Sequence, residues 1–525
     1  MELVKVNLSV SRQKSKAITY VSKEEAFNLN ESMEDISRIL QNRAQVTLQE
    51  VRGEENKVRV LGEMSFSILY ESASLEKHLS AYNGRMSFEE EINMEGVEAG
   101  DDISVNSNLE QLKIEIVNSR KIRVNAMLSL IAAAQDSMQE EIAADIEADN
   151  EQIQTKKGNL KYLNKTARLK ENEKLETDVT IPAGNENIGK IIWYKVTPYN
   201  LDFTGQDGQI LFSGDLQVFA IYQSENGAKT EFVHEEVPFQ KTITADVCSE
   251  GAILSVNADM SAADADVAQD YDGEDRKLHI TGVIDLDIEL YREENVEYIE
   301  DLYSLKNNVI PKVSMVTCQK LLSQNTSKCR VNEPVNIEKT ENPVLQLLNS
   351  DGKISDLKYS QQEGGVLVQG NIEVGGLSVT SDDEQPYENF SGVVPFEHMV
   401  EIPNMDIQSE YQCNVRLDQL SVSMAGENSI EVKALVTIVV IAYDIILYPV
   451  ILDIQESEPD TGAVKKIPGI TGYVVREDDT LWDIAKRYMT TIDEIKDVNE
   501  LKSDSVNTGD KLIIVKTINC SNAVK

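Results

Sequence analysis

Hydrophobic and polar residues alternate in three well-separated stretches of this chain, and the stretches resemble one another. GEMSFSILY begins at Gly62, GDLQVFAIY at Gly214 and GNIEVGGLS at Gly370. In the first, Val58, Val60, Met64, Phe66, Ile68 and Tyr70 share one face. In the second the matching set is Ile210, Phe212, Leu216, Val218, Ala220 and Tyr222, and in the third Val366, Val368, Ile372 and Val374. Successive side chains of a strand point to opposite faces, so a period of two predicts half-buried β-strands. Each stretch has a glycine where a side chain would otherwise point into the buried face. That placement predicts a close backbone approach or a bulge.

The glycines are 152 and 156 residues apart, and the same shifts relate the flanking segments. Upstream lie LNESMEDISRIL (29–40), IPAGNENIGKII (181–192) and IEKTENPVLQLL (337–348), and one short helical turn is expected near the start of each copy. Downstream, Phe88, Phe239 and Phe396 each follow their glycine by 25 or 26 residues. A late strand starts at Ile122, Leu278 and Ile430. The second copy carries about four extra residues before it, within AADADVAQDYDGED, which reads as a solvated loop. The third late strand is apolar on both faces: Ile430, Val432, Val436, Ile438 and Val440 against Leu435, Val439 and Ile441. Such a strand is covered on both sides. Burial inside its own domain is favoured here over packing against a neighbour.

Self-similarity at a long period points to tandem domains. The expected fold class is mainly β: three β-rich repeats at 15–150, 165–306 and 330–456, then a small α+β domain. Each repeat is long enough to hold its own core, and without short-period stacking they are expected as beads in series.

The stretch 456–469 is polar with two prolines and two glycines, so residues 457–470 read as a linker. Residues 473–475 predict a short strand. Thr480 can cap a helix bearing Leu481, Ile484, Ala485 and Tyr488 on one face. Thr491 and Glu494 form a capping box for a second helix with Ile492, Ile495 and Val498. Gly509-Asp510 turns into a last strand at 512–515. A β-α-α-β unit over 471–516 is too small for a catalytic cleft and suits a binding module.

Charge narrows the partners. The 525 residues carry 50 Lys plus Arg against 90 Asp plus Glu, a net charge of −40. Nucleic acid and anionic membranes would repel such a surface. Residues 471–525 hold a net −2 and the remainder −38, so the terminal module is the least repelling place for another acidic protein to dock. The run at 434–454 is long enough to span a membrane, but Asp444, Pro449, Asp453 and its β-branched content read as strand. The N-terminus lacks an apolar core of signal-peptide length, so neither a leader nor a transmembrane segment is expected.

Candidate chemistry is sparse. The five cysteines (248, 318, 329, 413 and 520) include no CxxC pair, and none of the four histidines neighbours a cysteine, which disfavours zinc. Cys318 and Cys329 could pair, but buried free thiols are the preferred reading and suggest a reducing compartment. His78, His234, His279 and His398 show no metal-ligand spacing, and no nucleophile elbow or EF-hand loop occurs. GNENIGK (184–190) fits a phosphate-loop pattern, but Ile191 stands where Ser or Thr is needed. The repeat aligns Gly189-Lys190 with Ser37-Arg38 and Leu345-Gln346, so the segment reads as a structural turn. No cofactor or metal is expected.

Tyr473, Val475, Asp479-Thr480-Leu481, Ile484-Ala485, Tyr488, Ile495, Asn499, Leu501, Gly509, Leu512 and Ile514 closely resemble the motif of a LysM domain. The family usually has Gly where Asp478 stands. In its sugar-binding members that loop helps form the groove for N-acetylglucosamine, so a side chain with a negative charge there counts against glycan binding. The three repeats resemble SPOCS domains of spore-forming Firmicutes. Three such copies followed by one LysM domain resemble the SipL-type family of clostridial spore-coat morphogenetic proteins. That resemblance implies a non-enzymatic adaptor in the mother-cell cytoplasm, at the forespore surface. Its LysM domain would bind stage IV sporulation protein A, the coat-basement ATPase, and the repeats would contact other coat proteins. The expected partner surface comprises Asp478, Asp479, Thr480, Trp482, Lys486, Arg487 and Met489. Trp482 falls at the edge of the buried stripe, open both to core packing and to an interface-anchor role. The alternatives are a peptidoglycan-binding protein of cortex or wall, and a wall hydrolase for which the repeats leave no catalytic stretch.

Overall fold

The computed structural model describes residues 2–516 apart from 75–77, 148–152, 228, 306–307, 338–341, 383, 427 and 458–468. The linker expected at 457–470 therefore lies largely outside the described residues, as does Cys520.

The first repeat contains β1 (Glu2–Asn28), β2 (Ile36–Glu54), β3 (Lys57–Ser72), β4 (Leu79–Asn93), β5 (Asp102–Asn118) and β6 (Lys121–Glu147). The second contains β7 (Ile153–Thr180), β8 (Ile188–Gln206), β9 (Gln209–Ser224), β10 (Thr230–Thr244), β11 (Ile253–Ala268) and β12 (Lys277–Ser304). The third contains β13 (Asn308–Asn336), β14 (Val344–Gln362), β15 (Gly365–Thr380), β16 (Tyr387–Glu401), β17 (Glu410–Gly426) and β18 (Ser429–Ser457). Topology is the same in all three. One antiparallel sheet runs β2-β3-β4, the other β1-β6-β5, with the corresponding orders in the second and third repeats. Both sheets of the first repeat contribute to one core, Val58 to Tyr70 from one side and Ile122 to Ala134 from the other, which makes it a sandwich. The alternating residues expected on the buried faces of β3, β9 and β15 are all buried.

The recurring glycine has a local cause. Gly62, Gly214 and Gly370 lie directly across from Phe88, Phe239 and Phe396 on the next strand. A Cβ on Gly62 would sit 2.4 Å from the Phe88 ring, and one on Gly370 would sit 2.9 Å from the Phe396 ring. The aromatic ring covers the bare backbone and fills the gap. On the other flanking strand a bulge lies opposite the glycine in every repeat, between Leu48 and Glu50, Tyr199 and Asp202, and Ser355 and Lys358. Gly62→Val should therefore drive the ring out of the core. We expect it to lower stability by about 1–3 kcal/mol, measurable by denaturant unfolding.

Two expectations are corrected. The segments at 29–40 and 181–192 do not open on helical turns. Met33 N–H donates to the Asn30 carbonyl and Asn185 N–H to the Pro182 carbonyl, each a single tight turn running straight into a strand. In the third copy the corresponding residues 338–341 lie outside those described. Gly189 and Lys190 lie in β8, where a Gly189 Cβ would meet the Ser224 carbonyl at 2.7 Å. Gly189-Lys190 belongs to the start of a strand and not to a turn.

The repeats are not beads in series. Residues related by the repeat shifts meet in shared clusters. Leu8, Leu160 and Val316 join Ile142, Tyr298 and Val450 in one. Ala143, Ile299 and Ile451, all fully buried, join in a second. Leu69, Ile221 and Leu377 join Leu40, Ile192 and Leu348 in a third. Equivalent positions from three copies can meet only around a pseudo-threefold axis. Polar contacts follow the same scheme. The side-chain amides of Gln41 and Asn349 pair at 3.3 Å, and the Arg43 guanidinium lies 4.9 Å from the centroid of the Trp193 ring. Asp102 of the first repeat accepts from Lys165 and Arg168 of the second. Burial alone would raise the Asp102 carboxyl pKa, but these two cations outweigh it and hold the group below its usual range.

On the second face of the third repeat's late strand, Leu435 and Val439 are half-buried and Ile441 is buried. Ile430 to Val440 fill their own sandwich, while Ile441 packs against Leu163, Ile253 and Tyr291 of the second repeat. Packing against a neighbour, the less favoured expectation, accounts for that residue. The run at 434–454 lies within β18, as expected, and among the described residues no helix is long and apolar enough to cross a membrane.

Candidate functional site

The terminal module forms from β19 (Ile470–Val474), α1 (Leu481–Tyr488), α2 (Ile492–Asn499) and β20 (Lys511–Val515). Its two strands pair antiparallel, with Tyr473 opposite Leu512. Thr480 and Thr491 both close capping boxes, with Asp483 and Glu494 returning the bond to the cap backbone. Leu481, Ile484, Ala485, Ile495, Leu512 and Ile514 make the core.

The seven residues expected at a partner surface fall into three groups. Asp478 is exposed and takes a left-handed backbone conformation (φ 66°), the geometry that explains a glycine preference at this position. Asp479, Thr480, Arg487 and Met489 are committed to the module's own frame. Asp479 accepts from the Tyr473 hydroxyl and from Arg476 N–H, which hold its carboxyl below the usual range. Arg487 donates to the Tyr473 oxygen at 2.9 Å. Thr480 caps the start of α1, and Met489 ends it in a left-handed conformation.

Trp482 and Lys486 point elsewhere. Trp482 Nε1–H donates to Asp301 Oδ2 at 2.8 Å, and Lys486 Nζ donates to the same carboxylate at 2.7 Å. The Tyr303 ring meets the Trp482 indole edge-to-face with centroids 4.9 Å apart. Tyr303 Oη donates to the Thr490 carbonyl at 2.7 Å. Burial pushes the Tyr303 phenol above its ordinary pKa, with Glu494 and Asp301 adding to the effect, so it stays a neutral donor. Trp482 therefore lies in the module's core cluster with 9 % of its surface exposed, and it packs there against Tyr303 of this chain's second repeat.

The sequence reading missed Asp301 and Tyr303, although a signal exists. Pairing slips by one residue at the same place in β6, β12 and β18, and the bulge is followed by Asp145, Asp301 and Asp453. Each of these aspartates accepts the N–H of the next residue. Two positions further on, the first and third repeats have Glu147 and Gln455, and only the second has an aromatic ring, Tyr303.

Chemistry elsewhere is quiet. Cys248, Cys318, Cys329 and Cys413 are free thiols, and burial pushes Cys318 and Cys413 up to about 12. Thiols so suppressed are poor nucleophiles. Among the described residues no group of three or more His, Cys, Asp or Glu could hold a metal ion.

Three sandwiches of one topology and a βααβ module with an aromatic-cationic face define a multidomain binding protein. The family model "SipL, SPOCS domain" matches at 35–117, 187–268 and 343–425, and the LysM domain model at 473–515. The chain therefore has the SipL-type architecture of three SPOCS domains and a C-terminal LysM domain, both non-catalytic families, and its domain set is that of a sporulation coat-related adaptor. No curated protein and no solved structure matches it. The matched SPOCS spans cover the second to fifth strands of each repeat. They leave out the long paired strands, β1 with β6, β7 with β12 and β13 with β18, and it is these that carry Asp301, Tyr303 and two of the shared axial clusters.

Proposed function

We propose that the chain is a non-enzymatic adaptor of spore-coat assembly. Its LysM module tethers it to stage IV sporulation protein A, the coat-basement ATPase, at the forespore surface on the mother-cell side. The pseudo-threefold body presents three related faces to other coat proteins. The observation that carries this reading is the chemistry of the α1 face. Trp482 and Lys486 there grip a carboxylate and a phenol, which are protein side chains. The loop that holds N-acetylglucosamine in sugar-binding LysM domains here has the Asp478 side chain and a carboxylate, Asp479, already spent on Tyr473 and Arg476. The near-neutral charge of residues 471–525 also makes this module the easiest part of a −40 chain for an acidic protein to approach.

Affinity capture from sporulating cells tests the tether. The full chain should recover the coat ATPase, and a chain ending at residue 470 should not. Recovery by the truncated chain would place the contact on the repeats. Retention of the full chain on insoluble peptidoglycan without any protein partner would establish glycan binding instead.

A further inference from the structure

The α1 face is already occupied. We propose that the contact with residues 301–303 is an intramolecular latch. In this view the LysM module recognises an extended segment that carries a carboxylate and, two residues on, a phenol. The second repeat supplies that ligand in cis, and an external partner presenting the same pair must displace it. The inference rests on the reading of α1 as the partner face and adds to it the chemistry that the face selects and the state in which it is held.

The complementarity is specific. Asp301 Oδ1 accepts Leu302 N–H, a bond that the bulge after Ile299 makes possible, and Lys486 spans both carboxylate oxygens. Oδ2 takes the indole N–H as well. The two rings lie edge-to-face, and the phenol closes the contact on the fully buried Thr490. The first and third repeats offer the bulge and the aspartate but not the ring, so three equivalent strand ends compete and one is equipped to win.

The contact is also able to open. On the repeat side Tyr303 and Leu305 pack into the module's cluster while Asp301 takes the polar bonds. Lys486 remains 40 % exposed, so its ion pair is screened. Interfaces between domains of one chain commonly permit domain motion. Tethering gives the cis ligand an effective concentration in the millimolar range, enough to compete with a dilute partner without excluding it. A face that is mostly latched loses apparent affinity in proportion to its closed fraction.

Opposite effects from the two sides of one interface test this. Asp301→Asn keeps an acceptor for Leu302 N–H, and Tyr303→Phe removes one hydroxyl, so both should preserve the strand end. The full-length Asp301→Asn/Tyr303→Phe chain should bind the coat ATPase about tenfold more tightly than wild type, whereas Trp482→Ala should bind it more weakly. A fluorescent nonapeptide of residues 297–305, EYIEDLYSL, should bind the double variant and be excluded from wild type. If the double variant loses ATPase binding as Trp482→Ala does, the partner reads the docked composite, and the latch fails while the tether stands. If the peptide binds neither chain, or both equally, the latch fails. If the peptide discriminates but no variant alters ATPase binding, the latch stands and α1 is not the ATPase face.

Discussion

Ile299→Asp is expected to separate the three repeats while leaving each sandwich folded. Ile299 is fully buried on the pseudo-threefold axis, against Ala143 of the first repeat and Ile451 of the third. An ionised carboxylate there would be surrounded by aliphatic side chains, Leu302, Ile451 and their neighbours. Burying an unpaired charge belongs to the small class of substitutions that cost about 4 kcal/mol or more. The least costly escape is for the long strand pairs of the three repeats to part. The sandwich cores, Val58 to Tyr70 in the first repeat and their counterparts, are separate clusters that do not depend on the axis. Small-angle scattering should therefore show a larger radius of gyration while far-UV circular dichroism keeps its strand signal. Ile299→Val, which removes one methylene, should cost about 0.5–1.5 kcal/mol and leave the scattering unchanged. Wild-type scattering from the aspartate variant would mean that the axis does not hold the repeats together.

Trp482→Glu is expected to abolish most partner binding with the LysM fold intact. The substitution removes the indole N–H bond to Asp301 and the edge-to-face contact with Tyr303, and sets a second carboxylate beside the first. The same loss removes the aromatic anchor from the face offered to an external partner. Buried aromatic anchors contribute about 2 kcal/mol or more, which corresponds to a loss of roughly 30-fold in affinity. Leu481, Ile484, Ala485, Ile495, Leu512 and Ile514 are all still in place to hold the module. Binding to the coat ATPase, with circular dichroism as the control for folding, decides it. Trp482→Phe keeps a ring without the donor and should fall between. Normal binding by the glutamate variant, or loss of the module's helices, would remove Trp482 from the anchor role.

These two sites differ in how far they could be read from the chain. The Gly–Phe pairing was legible as a spacing, because a cross-strand pair in a hairpin is local and its register is set by the turn. The capping boxes were legible for the same reason, since donor and acceptor lie three residues apart. The axial residues were harder. Leu69, Ile221 and Leu377 recur in three copies on the face of the strand that points away from the core, but an exposed apolar residue is unremarkable by itself, and only its repetition marks an interface. The latch was hardest, because Asp301 and Trp482 are 181 residues apart and the recurrence of Asp145, Asp301 and Asp453 stands out only once the strand pairing is known.

The amino-acid sequence by itself determined the repeat, the strand faces, the boxes that start both helices and the family of the terminal module. Each of these follows from periodicity or from bonds between near neighbours, which depend on local order alone. Tertiary structure decided that the copies close around an axis and that the module's aromatic face rests on the second copy. Those outcomes depend on which exposed surfaces find each other, and that is settled by shape and charge between segments more than a hundred residues apart.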